Sequence, residues 1–99
     1  MLQLQKMLEN EPNDPFLLYG IAMEHKKAGA FAEALAWLGR TVETDAAYAY
    51  AHFQTGLVHE ELGDTTAAAE AYRRGISAAE SAGDAHARDE CQAALDMLG

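Results

Sequence analysis

Small and apolar residues recur along this chain with helical spacing, and the spacing repeats in two consecutive segments. Between residues 49 and 76, apolar side chains return every three or four positions, and a glycine separates two such runs. Moving this segment back by 34 positions places Gly63 on Gly29 and Ala68 on Ala34. A period of this length is typical of repeated pairs of helices. The pattern therefore predicts two consecutive helical hairpins.

Helix-ending and helix-capping residues mark where the predicted helices begin and end. Asp14 can cap a helix that has Pro15 at its first position, where the missing N–H of proline is tolerated. Gly29, Gly63 and Gly83 each follow an apolar run and predict left-handed residues that end a helix. Turns as short as these require neighbouring helices to lie antiparallel.

We expect one all-α domain of about six helices, with no strands. Because a single hairpin cannot bury its own apolar face, the two hairpins need flanking helices as caps. Thr44 and Asp45 are the expected caps of the fourth helix. The predicted parts are an N-terminal capping half-repeat at 1–12, a first repeat at 15–46, a second repeat at 47–81 and a C-terminal capping helix at 84–98.

Composition and charge narrow the range of partners. The chain is 49% hydrophobic with only two prolines, which favours a folded helical domain over disorder. Sixteen acidic residues against seven basic ones give a net charge of -9, the wrong sign for binding phosphate backbones or anionic lipid. No apolar run approaches the roughly 20 residues of a membrane span. We therefore expect neither nucleic acid nor a membrane as the partner.

The single cysteine points to a reducing compartment. Cys91 cannot form a disulfide within the chain, and the first residues lack the long apolar segment of a secretion signal. We therefore expect a cytoplasmic location. Cys91 lies on the apolar stripe of the last predicted helix, where a small core residue is expected.

A set of small, aromatic and aliphatic residues occupies matching positions in the two hairpins. The set comprises Ala22 and Gly56 where helices cross, Gly29 and Gly63 at the turns, Phe31 after the first turn, then Ala34 and Ala68, Leu38 and Tyr72, and Val42 and Ile76. With these residues, positions 15–80 resemble two tetratricopeptide repeats, and the resemblance covers about two thirds of the chain. It implies stacked antiparallel hairpins in a right-handed superhelix that serves protein–protein interaction.

Several positions depart from the family pattern, most of them in the second hairpin. Leu18 and His52 stand where the family commonly has tryptophan or another large ring. His25 and His59 stand where tyrosine is frequent, and Thr55 replaces an aliphatic residue. These changes predict looser packing in the second hairpin without interrupting the period.

The resemblance places the binding surface on the concave side, which is lined by the first helix of each hairpin. Families that grip a C-terminal carboxylate have Lys, Asn and Arg in the middle of these helices, whereas this chain has tyrosine, methionine, phenylalanine and leucine there. We therefore do not expect a carboxylate clamp. The predicted groove residues are Phe16, Tyr19, Met23, Lys26, Lys27, Tyr50, Phe53, Leu57, Glu60 and Glu61.

Three interpretations of this groove are compatible with the sequence. Its rings and methionine could bury a peptide or an amphipathic helix of another protein. The same residues could form a homodimer interface. Alternatively, the capping helices could cover the groove as part of the core. An exposed patch of this composition would otherwise be a liability for an isolated protein.

The chain contains no motif that predicts catalysis, a cofactor or a metal site. HExxH, CxxC, GxSxG and glycine-rich phosphate loops are all absent from the sequence. His52 and His59 lie seven residues apart on one predicted helix, but His25 and His59 fall on packing positions, where buried, hydrogen-bonded histidines are expected. Trp37 is expected to pack its edge between the hairpins. We therefore predict a non-catalytic protein.

Overall fold

Six α-helices joined by short turns form the fold in the computed structural model, which describes residues 2–98. No strand occurs among these residues, so the predicted all-α fold is confirmed. Met1, the first residue of the predicted capping half-repeat at 1–12, lies outside the described residues. The helices are α1 (Leu2–Asn10), α2 (Pro15–Lys27), α3 (Phe31–Thr44), α4 (Ala49–Glu61), α5 (Thr65–Ala82) and α6 (Ala85–Asp96).

Neighbouring helices in the sequence are also neighbours in space. Helices α2 and α3 form the first hairpin, α4 and α5 form the second, and α3 packs against α4 to join the two. Helix α1 packs on α2, while α6 packs on α5 and α4. The two hairpins are therefore stacked side by side, with one further helix at each end. No helix in the described part of the chain is both long and apolar enough to span a bilayer.

Left-handed glycines end three of the helices, as the sequence predicted. The φ angle is 78° at Gly29, 78° at Gly63 and 69° at Gly83. After the first two of these glycines the chain turns back. Ala30 donates its N–H group to the carbonyl oxygen of His25, and Asp64 donates to that of His59, in each case five residues earlier. A residue with a side chain resists this conformation, which explains why glycine stands at each position.

Aspartate side chains cap three helix starts. Asp14 accepts a hydrogen bond from the N–H of Phe16 at 2.9 Å, with Pro15 in the first turn as predicted. Asp64 and Asp84 cap α5 and α6 in the same way, each at 3.0 Å. These bonds satisfy N–H groups that have no partner within the helix.

The predicted caps of the fourth helix were wrong. Thr44 is the last residue of α3, and its hydroxyl donates to the carbonyl of Arg40. Asp45 ends α3 and accepts from the N–H of Ala47 at 3.1 Å within the loop. Helix α4 instead begins after Tyr48, which gives no side-chain cap. The loop is long enough for Asp45 to stabilise a turn of its own before the next helix begins.

The core follows the seam where the hairpins meet. Its largest fully buried side chains include Leu18, Leu38, Val58 and Tyr72. Cys91 is also buried, as predicted, and burial raises the pKa of its thiol to about 11. The thiol is therefore protonated at neutral pH and behaves as a small apolar group.

The histidines differ from expectation. His25, His52 and His59 are half-buried rather than fully buried. His25 lies against the indole of Trp37, with ring centroids 6.3 Å apart and planes 16° apart. Imidazoles at these positions therefore sit at the edge of the seam, where one side of the ring remains near solvent.

Candidate protein-interaction surface

The ten predicted groove residues lie on α2 and α4, and we refer to them together as the inner face. None of them is fully buried in the structure. The exposed members are Phe16, Lys27, Glu60 and Glu61, and the half-buried ones are Tyr19, Met23, Lys26, Tyr50, Phe53 and Leu57.

Phe16 is the most prominent apolar group of the inner face. Its side chain is 68% exposed although it stands in the first turn of α2. The backbone there is fixed by the Asp14 cap and by Pro15. A large ring on a rigid backbone loses little conformational freedom when it binds a partner, which favours affinity.

Tyr19 and Met23 continue the surface along α2 and pack on the seam. The ring of Tyr19 contacts that of Tyr48 at a centroid distance of 5.1 Å and an angle of 34°. Burial raises the pKa of Tyr19, and a hydrogen bond with Gln54 partly offsets this effect. Tyr19 therefore keeps its hydroxyl proton at neutral pH.

Gln54 links the two helices of the inner face. Lys26 on α2 donates from Nζ to Oε1 of Gln54 on α4, at 2.6 Å. Gln54 is not among the predicted groove residues. It lies four residues after Tyr50 and three before Leu57, so its spacing already placed it on that side of α4. The repeat pattern does not predict a functional residue here, because the counterpart of Gln54, 34 positions earlier, is Gly20.

The aromatic residues of α4 connect the inner face to the core. Tyr50 meets Phe53 edge-on, at 6.3 Å and 87°, and Phe53 lies 6.0 Å from the ring of Tyr72 on α5. Tyr50 also packs against the alanine cluster that joins α4, α5 and α6. Burial, together with the charge of Glu90, raises the pKa of Tyr50. These rings therefore hold the helices together on one side and face outward on the other.

The four charged side chains of the inner face lie at the C-terminal ends of α2 and α4, and two of them are held by hydrogen bonds. Glu60 accepts a hydrogen bond from the hydroxyl of Tyr72. Burial and this contact with Glu60 raise the pKa of Tyr72, so the phenol remains a donor. Lys26 is held by Gln54, whereas Lys27 and Glu61 are exposed. The latter two are therefore the charges most accessible to a partner.

The described residues contain no arrangement suited to a metal ion. Within 2–98, no group of three or more His, Cys, Asp or Glu side chains lies close enough to hold one. Apart from Lys27 and Glu61, the charged groups of the inner face form hydrogen bonds between helices. Its chemistry is that of a contact surface.

Consecutive antiparallel hairpins with a half-exposed aromatic face define a helical-repeat protein. Over 95 residues the chain is 30% identical to a TPR repeat-containing protein of Pseudomonas aeruginosa, spanning 96% of this chain and 90% of that protein. The chain belongs to the tetratricopeptide-repeat (TPR) family. No protein-family model matches it.

Solved structures agree with this assignment. A tetratricopeptide repeat domain protein from Salinibacter ruber superimposes with a TM-score of 0.82 at 34% identity, covering 88% of each chain. A protein from Bordetella parapertussis gives a TM-score of 0.82 at 27% identity, covering 97% of this chain and 84% of the other. TPR domains generally mediate protein–protein interactions and are generally non-catalytic.

Proposed function

We propose that the inner face binds a peptide or helical segment of another protein. The observation that carries this proposal is the exposure of Phe16, a large ring on a capped helix beside a row of half-buried aromatic and apolar side chains. Aromatic anchors of this kind supply much of the binding energy in protein interfaces. None of the ten residues is fully buried and four are exposed, which supports contact of this face with a partner.

Charge on the inner face favours a partner segment of mixed charge. Lys27 on α2 and Glu61 on α4 are both exposed and have opposite signs. Exposed charges of this kind act mainly on the rate of association and on the choice of partner. Lys27 and Glu61 are the last residues of two parallel helices, so we expect an apolar segment with an acidic and a basic residue near the same end.

A homodimer through the same face is the second candidate. In a two-fold symmetric interface each surface patch meets its own copy. Lys27 of one protomer would then lie near Glu61 of the other, and Phe16 would be covered. The presence of both charges on one face is the observation that favours this alternative.

The first experiment uses peptides selected from a random displayed library on the immobilised wild-type protein. The selected peptide is synthesised, and its affinity is measured for the wild type, Phe16→Ser and a control, Met97→Ser. Met97 is 86% exposed, lies at the end of α6 and is not one of the ten residues of the inner face. We expect Phe16→Ser to weaken binding about tenfold or more, as for a central aromatic anchor, and Met97→Ser to change little. Equal affinity for all three proteins would contradict the proposal.

Solution mass distinguishes the two candidates. Sedimentation velocity across a range of concentrations should give a monomer if the inner face is available to a partner. A dimer that persists on dilution, and that Phe16→Ser dissociates, would instead assign the face to self-association. Far-UV circular dichroism of both variants checks that helix content is retained.

A further inference from the structure

A cleft of about 420 Å³ lies between α3, α4 and α5. Its volume falls within the range of about 300–1,000 Å³ that is common for ligand sites. We call it the outer cleft. Its lining combines an apolar wall from α3, a polar floor from α4 and an ion pair on α5, namely Leu35, Gly39, Val42, His52, Thr55, His59, Ala67, Glu70, Ala71 and Arg74.

The outer cleft is separate from the inner face. Successive residues of an α-helix turn by about 100°, so His52, Thr55 and His59 lie on the side of α4 opposite Tyr50 and Leu57. The two surfaces can therefore be tested independently.

The first hairpin has a side chain, Trp37, at the position that corresponds to the outer cleft of the second hairpin. There the indole of Trp37 lies close to two groups. The imidazole of His25 stacks on it at 6.3 Å and 16°, and the guanidinium carbon of Arg40 lies 4.4 Å from the ring centroid. The indole thus has both an aromatic plane and a cation near it, and each of these groups can attract its π-face.

The second hairpin keeps the two flanking groups and lacks the ring. At an offset of 34 positions, His25 corresponds to His59 and Arg40 to Arg74, whereas Trp37 corresponds to Ala71. His59, Ala71 and Arg74 all line the outer cleft. The cleft therefore contains the position where the first hairpin carries its own indole.

We propose that the outer cleft receives a tryptophan side chain from a partner polypeptide, which takes the place that Trp37 occupies in the first hairpin. A polypeptide fits better than a free aromatic molecule because the lining continues along α4 from His52 to His59. The floor extends from His52 to His59, seven residues of α4, or about 10 Å at about 1.5 Å per residue. This length accommodates the ring together with neighbouring residues of its chain.

Arg74 must leave its present partner to cover the incoming ring. Its Nη2 atom lies 2.6 Å from Glu70, and both side chains are largely exposed. Such pairs contribute little to stability, so the exchange costs little. In the first hairpin Ala36 stands in place of Glu70, and Arg40 covers Trp37. Removing the Glu70 carboxylate should therefore favour binding of the ring.

The test is a titration of isotope-labelled protein, followed by NMR, with a blocked alanine pentapeptide that carries a central tryptophan. We expect saturable shifts in the outer cleft, with ring-current shifts of the Ala67 and Ala71 methyl groups. The same peptide with leucine at its centre should produce no comparable response. No saturation, an equal response to the leucine peptide, or shifts confined to the inner face would overturn the proposal.

A second arm tests the source of the ring. N-acetyltryptophanamide should bind about tenfold or more weakly than the pentapeptide, because it lacks the flanking contacts along the cleft. Equal or tighter binding of the amide would assign the cleft to small aromatic molecules and overturn the proposed polypeptide partner.

Variants on the cleft wall and rim sharpen the assignment. Gly39→Leu should reduce pentapeptide affinity about tenfold or more by filling the cleft; a Cβ at Gly39 meets nothing within 4 Å, so the fold should tolerate the change. Arg74→Gln should weaken binding about two- to fivefold, as expected for an exposed cation–π contact. Glu70→Ala should strengthen binding about twofold, a small effect typical of releasing an exposed ion pair.

Two controls show whether the effect is specific to the cleft. Arg40→Gln makes the same chemical change in the first hairpin and should leave pentapeptide affinity unchanged. Phe16→Ser, on the inner face, should also leave it unchanged. If Arg74→Gln and Arg40→Gln have equal effects, or if Gly39→Leu binds like the wild type, the proposal is wrong.

Discussion

The two hairpins have the same arrangement of helices and turns, but the side chains that meet where their helices cross differ in size. In the first, Ala22 on α2 accompanies Leu38 on α3, and both are fully buried. In the second, Gly56 on α4 accompanies the much larger Tyr72 on α5, where a Cβ at Gly56 would overlap the tyrosine ring. A small residue at the crossing is thus the common requirement, and its exact size is matched to the residue opposite.

The hairpins also differ on the side away from the inner face. The first fills this side with Trp37, whose carbonyl accepts a hydrogen bond from Thr41 at 2.9 Å. The matching residues of the second are Ala71 and Gly75. A Cβ at Gly75 would lie 2.6 Å from the sulfur of Cys91, so its absence allows α6 to pack closely on α5. The second hairpin therefore uses small residues to seat α6 and leaves the outer cleft open.

The largest expected effect comes from breaking the match at the crossing. Gly56→Ala should destabilise the protein by about 2–3 kcal/mol, because the added methyl group meets the Tyr72 ring in a packed core. In a Tyr72→Leu background the same change should cost much less, because the double variant has the same two residue types as the Ala22–Leu38 pair. Urea unfolding of the four proteins gives the coupling energy. An equal cost in both backgrounds would show that the two positions are not matched.

Valine at the turns tests a feature that the hairpins share. Gly29→Val and Gly63→Val should each destabilise by about 1–2 kcal/mol, because a β-branched residue resists the left-handed conformation. The two costs should be equal, since both glycines have a φ of 78° and open space around them. Thermal unfolding measures both variants, and a clear difference between them would mean that the turns are not equivalent.

A helical glycine on the cleft wall should respond with the opposite sign. Gly39→Ala should stabilise the protein by about 0.5–1 kcal/mol, because alanine favours the helix and the new methyl group has room. Chemical denaturation is the measurement. Destabilisation by this change would indicate that the wall of the outer cleft is packed.

The smallest expected effect concerns pH. Burial lowers the pKa of His52 below its ordinary 6.5, the charge of Arg74 adds to this, and a backbone hydrogen bond with Ala46 opposes it. The unfolded chain therefore binds a proton more readily at this site, so its contribution to stability is present above pH 6.5 and is lost as pH falls toward the lower folded pKa. His52→Leu, which copies Leu18, should flatten the loss of stability between about pH 7 and pH 5. An unchanged slope would contradict the assignment.

Local signals made the fold predictable. A glycine with a positive φ followed by a capping aspartate is a pattern that can be recognised in the sequence, as at Gly63 and Gly83. The start of α4 was harder to predict, because Asp45 can either cap a helix or close a turn. Only the length of the loop decides between the two.

Contacts between helices could not be predicted in the same way. The bond from Lys26 to Gln54 depends on how far apart α2 and α4 lie, which no spacing along the chain reveals. The outer cleft, too, depends on how the helices pack against one another. Ala71 looks like any small packing residue until the orientation of Trp37 in the first hairpin shows what its position can hold.

The central claim is that α2 and α4 together present the inner face to another polypeptide. The most direct measurement is an NMR footprint, in amide and methyl shifts, of the library-selected peptide on the wild-type protein. We predict that the shifted residues cluster around Phe16, Met23 and Leu57. Trp37 on α3 and the outer-cleft residues Glu70 and Arg74 on α5 should be unaffected. A footprint on the α3–α5 side, or shifts spread evenly over the protein, would contradict the claim.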